Sequence, residues 1–348
     1  IEVSSAAPED AVFVGSGVCV SCHGISHIAE TLHRIGIWSS YETGDLQDLT
    51  PRFAEMYQAI DGKFKVVGGT TVYFYDYDAT RGFDKYKTAE ADPGANVSFT
   101  VTVQESGEDL EMVLHNVKNP ADPDRVYRVD VVYGGGVYKQ RYMTKLTNEF
   151  GSFHAMLPLQ FQHTGSEDPS YGRTSKTWRD YNAYKWYTES DVSSAFKEPL
   201  PKDSFEKNCI SCHAVGSRVY GTDETVWSAE LVEDTVFNSG DFDFDGNLIR
   251  DEVNVGCESC HGPGSAHATA LVEGQHIVSP SLLTPEREAM VCGQCHSRPK
   301  GEYGTDSPVN ADGRMMIAGT SRADFLAGYA TTQLDGAGDP DVTICEAC

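Results

Sequence analysis

Apolar and polar positions alternate most clearly in the first half of the chain. Thr71-Val72-Tyr73-Phe74-Tyr75, Val97-Ser98-Phe99-Thr100-Val101-Thr102-Val103, Leu110-Glu111-Met112-Val113-Leu114 and Tyr127-Arg128-Val129-Asp130-Val131-Val132-Tyr133 are β-branched and aromatic runs, separated by Gly, Asp and Pro. A period of two with such breaks predicts antiparallel strands that lay one face on a core. Val66-Val67 adds a shorter apolar pair, and Gly134-Gly135-Gly136 marks a turn before a further strand from Val137 to Leu146. The stretch 60–165 therefore reads as an inserted antiparallel β sheet or sandwich with a scaffolding role.

On either side the periodicity fades. The segments 1–59 and 166–348 show short helical stretches at best and no long apolar run, so no bilayer span is expected. Hydrophobic residues make up 40% of the chain, a low share for an interior built from side chains alone. The formal charge of -25 repels polyanions and anionic lipid, which removes nucleic acid as an expected partner. The sequence opens on Ile1 without a Met, as a processed secreted product would.

Cysteine changes the picture. All ten cysteines lie in Cys-x-x-Cys pairs, and four of the five pairs are followed at once by histidine: Cys19, Cys22, His23; Cys209, Cys212, His213; Cys257, Cys260, His261; Cys292, Cys295, His296. This is the c-type haem attachment motif, for which the frequencies of Cys and His predict only about 0.01 chance occurrences. Two thiols three positions apart share one helical turn and add across the two porphyrin vinyl groups, and the next residue sets an imidazole under the iron. Zinc knuckles and redox disulfides also use Cys-x-x-Cys, but neither requires that histidine. Four haems would supply the apolar interior that the side chains lack. The expected fold class is thus a multihaem cytochrome, mostly irregular coil with short helices around a haem stack, plus the inserted sheet. The fifth pair, Cys345 and Cys348, has no histidine after it. It reads either as a terminal disulfide or as a fifth motif cut short.

Of the 11 histidines, four are proximal, which leaves His27, His33, His115, His154, His163, His267 and His276. That is enough for every iron to be bis-His and closed to substrate, as electron transfer requires. His267 follows the rigid Gly262-Pro263-Gly264 turn, and His33 follows the helical stretch from Ile28 to Leu32. They are the leading distal candidates, with His27, His154 and His276 behind them. His115 sits in a strand-like alternation, and His163 carries no positional signal. A reductase of a small nitrogen or sulfur compound would instead need one five-coordinate haem.

Residues 241–252 fit the calcium-loop pattern D-x-D-x-D-G-x5-E. The expected shell comprises Asp241, Asp243, Asp245, the carbonyl of Asn247 and a bidentate Glu252, with Gly246 at the bend.

The run Val255-Gly256-Cys257-Glu258-Ser259-Cys260-His261-Gly262-Pro263-Gly264-Ser265-Ala266-His267, with Cys292 to Arg298, resembles multihaem cytochromes related to cytochrome c554. So do Gly15 to Cys19 with His33, Tyr133 to Tyr142, and His154 with Leu157 to Gln160. That group includes extracellular cytochrome filaments, in which a subunit lends a distal His to a haem of its neighbour. The resemblance implies His27 or His33 acting across an interface between identical subunits, at the cell surface or outside it. Related chains carry a further CxxCH after a segment like Ala323-Asp324-Phe325-Leu326, where this chain has Cys345 and Cys348. The large mass per haem fits a subunit that builds interfaces. A monomeric periplasmic or surface carrier, passing electrons to other redox proteins or extracellular acceptors, is the alternative.

Overall fold

The computed structural model describes residues 7–24, 32–34, 36–39, 69–94, 96–107, 109–134, 139–162, 177–190, 193–236, 242–270, 272, 274–297 and 300–330. Features expected at Val66-Val67, His27, His163, Asp241, Cys345 and Cys348 lie outside these residues. The chain divides into two compact units. One combines Ile1–Arg34, Glu149–Phe153 and Pro201–Cys348; the other combines Ile35–Asn148 with His154–Leu200. The stretches before and after the β region, expected as separate segments 1–59 and 166–348, thus contribute to one unit, and the β unit runs past 165 to Leu200.

The β unit holds β1 (Ile37–Ser39), β2 (Thr70–Tyr75), β3 (Lys87–Ala89), β4 (Val97–Ser106), β5 (Asp109–Asn116), β6 (Arg125–Arg128), β7 (Val131–Tyr133), β8 (Lys139–Asn148), most of β9 (Gly151–Gln162) and β10 (Thr177–Asp180). They form two five-stranded sheets, ordered β3-β2-β4-β5-β6 and β1-β7-β8-β9-β10. The run 127–133, expected as one strand, is split between them. Val129 N–H donates to Leu110 O of the first sheet and Asp130 N–H to Met143 O of the second, so the chain changes sheets at that step. The alternation expected from the sequence is present: Val72, Phe74, Phe99, Val101, Met112 and Leu114 are fully buried. Phe99 anchors the core, stacked on Phe74 at 4.4 Å and tilted against Tyr187 at 4.8 Å. A short ribbon of β11 (Tyr187–Thr188) and β12 (Ala195–Phe196) completes this unit.

The other unit contains α1 (Ser16–Val20), α2 (Phe205–Asn208), α3 (Ile210–His213), the ribbon of β13 (Arg218–Tyr220) and β14 (Ser228–Glu230), α4 (Cys257–His261), α5 (Ser265–Ala270), α6 (Pro285–His296) and α7 (Arg322–Gly328). The 12-residue α6 is the longest. Thr284 precedes Pro285 at its first position, and Glu286 and Glu288 face its amino end, an arrangement that favours initiation. Met290 on α6 packs with Phe325 of α7 and with Met316 ahead of that helix, while Val291, Val278 and Ala318 form a second cluster against Cys260.

The expected fold class is corrected by this architecture. Strands in four sheets are the main regular structure of the described residues, and helices are few and short; the chain is not a mostly irregular helical wrapping around a haem stack. The β-branched and aromatic runs pair into a core of their own, and even the motif-bearing unit carries a β ribbon. Among the described residues no helix is long and apolar enough to cross a membrane.

Candidate functional site

Every Cys-x-x-Cys-His motif lies on a helical turn. Cys19 is on α1, and Cys22 and His23 continue its turn by donating their N–H groups to Cys19 O at 3.1 and 3.0 Å. Cys212 and His213 are on α3, the third motif fills α4, and the fourth ends α6. Residues three apart share a helix face, so each pair of thiols is presented together. None of these eight forms a disulfide among the described residues.

Among the described residues, two of the motif histidines face a second imidazole. His23 and His267 have ring centres 6.3 Å apart with planes at 25°, and His33 and His296 stand 6.2 Å apart with planes at 74°. These gaps exceed ring contact. An iron–nitrogen bond of about 2 Å plus about 1.1 Å from nitrogen to ring centre places two trans imidazoles about 6.2 Å apart. Each pair joins one motif histidine to one of the two leading distal candidates, and the residues present fit a bis-His haem at both positions.

Hydrogen bonds set the ring tautomers. His267 Nδ1 lies 2.8 Å from Gln275 O, and His261 Nδ1 lies 2.8 Å from Val278 O. A carbonyl only accepts, so Nδ1 carries the proton in each ring and Nε2 keeps its lone pair for a metal. His261 is exposed and, among the described residues, faces no second imidazole. His276 is exposed on a left-handed residue, φ 58°, and likewise meets no second imidazole among them. His154 is buried on β9 in the β unit. His115 pairs with Asp124 at 2.8 Å on the exposed side of that unit, in keeping with a structural role.

The chain matches no model of a known protein family, no curated protein and no solved structure. The assignment of chemistry therefore rests on these residues and their geometry.

The motifs are neighbours in an order different from that of the sequence. The neighbouring Cys257 thiol, and then burial, push the Cys19 thiol up, whereas the Cys19 thiol pulls that of Cys257 down against the effect of burial. The Cys295 thiol is pushed up by the Cys212 thiol and by burial, with Cys260 and Cys292 adding charge. The thiols thus link the first motif to the third, the third to the fourth and the fourth to the second.

Two buried carboxylates, singled out by no sequence spacing as a joint, tie the amino-terminal motif into this arrangement. Glu258, 2% exposed, lies inside the third motif. It accepts from Val14 N at 3.0 Å, Gly15 N at 2.7 Å and Gly264 N at 2.7 Å. Burial raises its pKa and these N–H groups oppose the rise. Glu252 accepts from Ser16 N at 2.7 Å and Ser16 Oγ at 2.5 Å, and Ser16 Oγ in turn accepts from Cys257 N at 3.0 Å. The joint leaves no room for side chains: a Cβ on Gly256 would lie 2.1 Å from Glu252 Oε1, and Gly15 takes φ 82° with its missing Cβ 2.9 Å from Glu233 O. Arg34, also buried, donates to Val253 O and Val255 O at 3.0 and 3.2 Å. Val255 N donates back to His33 O at 3.2 Å, which stitches the turn bearing His33 to the segment entering α4.

The expected calcium shell is partly redrawn. Asp243 and Asp245 come together, but the third carboxylate beside them is Asp251, with ligand atoms of all three within 4.8 Å. Glu252 points to Ser16 instead, because its burial demands the hydrogen bonds found there. Asn247 closes the loop through its N–H groups, its backbone donating to Asp243 Oδ1 and Asp245 Oδ1 and its Nδ2 to Asp245 Oδ2. Burial, followed by the charges of Asp245 and Asp243, pushes Asp251 up to about 7 despite the N–H of Phe244. Such a trio offers hard oxygen ligands, the type a divalent cation of the calcium class takes.

Proposed function

We propose that this chain is an electron-transfer protein that carries four c-type haems, one on each Cys-x-x-Cys-His motif, outside the cytoplasm. The observation that carries this reading is the imidazole pairing: His23 with His267 and His33 with His296, each at the separation that a six-coordinate iron requires. A haem held this way cycles between ferric and ferrous states and passes one electron at a time. With both axial positions taken by the chain's own imidazoles, these two sites have none left for a substrate. The thiol contacts support a path running through the motifs of His23, His261, His296 and His213 in that order. Covalent attachment of this kind goes with an oxidising compartment, hence the cell surface, the extracellular space or the periplasm.

The reading extends to a homopolymer. His261 is exposed without a second imidazole among the described residues, and His33 is already engaged with His296. His27 of another copy is then the candidate ligand for His261's site, and identical subunits the first partners, with other redox proteins or extracellular acceptors at the ends. The same openness at His261 favours a second reading, in which that site takes a small substrate in a monomer.

Electron microscopy of the purified red protein, with a visible spectrum of the same sample, separates these. Filaments with a wholly low-spin spectrum support the polymer, and dispersed particles with that spectrum support a monomeric carrier. Dispersed particles with a high-spin band support the substrate-binding reading. A colourless protein from a host able to attach haem overturns the proposal.

A further inference from the structure

We propose that Glu258 is a positioning residue for the His23–His267 pair: one carboxylate fixes the distance between the two imidazoles. The inference rests on the haem reading above and goes beyond it, because Glu258 belongs to the attachment motif of a different haem.

Three chain segments meet at this side chain. Val14 and Gly15, which donate to it, immediately precede α1, the helix that bears Cys19 and leads to Cys22 and His23. Gly264, which donates to its Oε1, immediately precedes α5, and His267 is the third residue of that helix. Glu258 itself lies on α4 between Cys257 and Cys260. The two ligand-bearing segments are also joined directly, by Val12 N to Ser265 Oγ at 2.9 Å and Ser265 N to Val12 O at 3.2 Å. Each imidazole is therefore tethered, through a few residues of chain, to the same buried carboxylate, whose Oε1 accepts from both segments. A buried carboxylate accepting several N–H bonds has little freedom to move without leaving donors unpaired, so the separation of the rings is set from behind rather than by the rings.

The geometry also explains why a carboxylate is needed. Both oxygens accept: Oε1 from Gly264 N and Val14 N, and Oε2 from Gly15 N and Val14 N. In Glu258→Gln one of them becomes an NH2 that meets N–H donors, so either the Val14–Gly15 side or the Gly264 side is pushed away. Only the His23–His267 separation depends on both sides. The turn that bears His33 is tied through Arg34 to Val253 O and Val255 O and through His33 O to Val255 N, bonds in which Glu258 takes no part.

The test uses the haem-loaded full chain as wild type, Glu258→Gln and Glu258→Asp. Pyridine haemochrome assay counts haem, low-temperature EPR reports axial ligation, and a spectroscopic redox titration reports potentials. In Glu258→Gln the haem count is expected to stay at the wild-type value. The low-spin signal from the near-parallel pair is lost or shifted, high-spin iron rises to about one quarter of the total, and one component of the titration moves. The signal from the crossed His33–His296 pair stays. An unchanged near-parallel signal, or equal loss of both signals, overturns the inference. If the glutamine variant does not accumulate, Glu258→Asp, which keeps the charge and retreats by one methylene, decides: a change confined to the near-parallel signal supports positioning, and an unchanged or wholly lost spectrum overturns it. A wild type without haem would instead sink the electron-transfer reading itself.

Discussion

The imidazoles of His33 and His296 are crossed at 74°, whereas those of His23 and His267, at almost the same separation, lie only 25° from parallel. Crossed axial planes leave two iron d orbitals close in energy and give a highly anisotropic low-spin EPR signal. Near-parallel planes split those orbitals and give a rhombic one. Both signal types are expected from the oxidised haem-loaded protein. His33→Ala should remove the anisotropic signal, leave the rhombic one, and convert about one quarter of the iron to high spin. Loss of the rhombic signal instead would show that the two pairs have been assigned to the wrong centres.

Arg34 is expected to act on the crossed pair alone. Its guanidinium donates to Val253 O and Val255 O and lies near the charges of Glu252 and Asp234. Arg34→Met leaves those groups unanswered in a buried place and should cost about 3 kcal/mol, read as a lower denaturant midpoint. The anisotropic signal should broaden while the rhombic one keeps its shape. Equal effects on both would mean that Arg34 supports the unit as a whole.

Asp180 predicts a pH dependence in the β unit. Its carboxyl is buried and accepts from Ala183 N at 2.9 Å and Tyr86 N at 2.8 Å; burial, partly offset by these bonds and reinforced by Asp84, raises it to about 8. The folded value lies above the unfolded one of about 3.9. Its contribution to stability is therefore complete below about pH 4 and is lost as the pH rises through about 8. The urea midpoint of the wild type should fall from pH 5 to pH 8.5. Asp180→Asn should flatten that fall while costing about 1–3 kcal/mol at pH 5, because the amide cannot accept from both N–H groups. A wild-type midpoint that does not fall over this range would remove Asp180 as a buried neutral acid.

Thiol chemistry separates the cysteines. The eight motif cysteines carry no disulfide among the described residues, and haem attachment would convert all eight to thioethers. Denatured, reduced protein should then take up alkylating reagent only at Cys345 and Cys348, and its intact mass should exceed the polypeptide by four haem groups. Alkylation at Cys19 or Cys257 would show that the first or third motif is not loaded. Protection of Cys345 and Cys348 after reduction would favour a fifth attachment over a disulfide.

The sequence made some of this legible and hid the rest for identifiable reasons. The strands around Val72, Phe99 and Met112 could be read because their alternation meets a dry core on one face. The strand at Thr177–Asp180 could not. Its Arg179 and Asp180 look solvated, yet Arg179 is buried against Asp84 at 2.9 Å and Asp180 is capped by backbone N–H groups. The four Cys-x-x-Cys-His turns can be read from local spacing, and His267 and His33 are singled out by the rigid turn and the short helical stretch that precede them. Pairing each with His23 or His296 required tertiary geometry that no spacing encodes. Glu252 illustrates a local pattern overridden: it completes a calcium-loop signature, but burial beside Ser16 claims its carboxylate and leaves Asp251 with Asp243 and Asp245.

The joint at Glu258 also has a temporal side. Val14 and Gly264 meet on one carboxylate although 250 residues of sequence separate them, and the whole β unit is encoded in between. A chain emerging amino end first exposes the turn of Cys19, Cys22 and His23 long before His267, the imidazole that faces it. On the haem reading proposed above, that motif waits half-dressed during synthesis, and only a chain that has emerged beyond His267 closes it. Premature termination anywhere upstream would release a fragment with an open axial position, reactive where the finished protein is sealed.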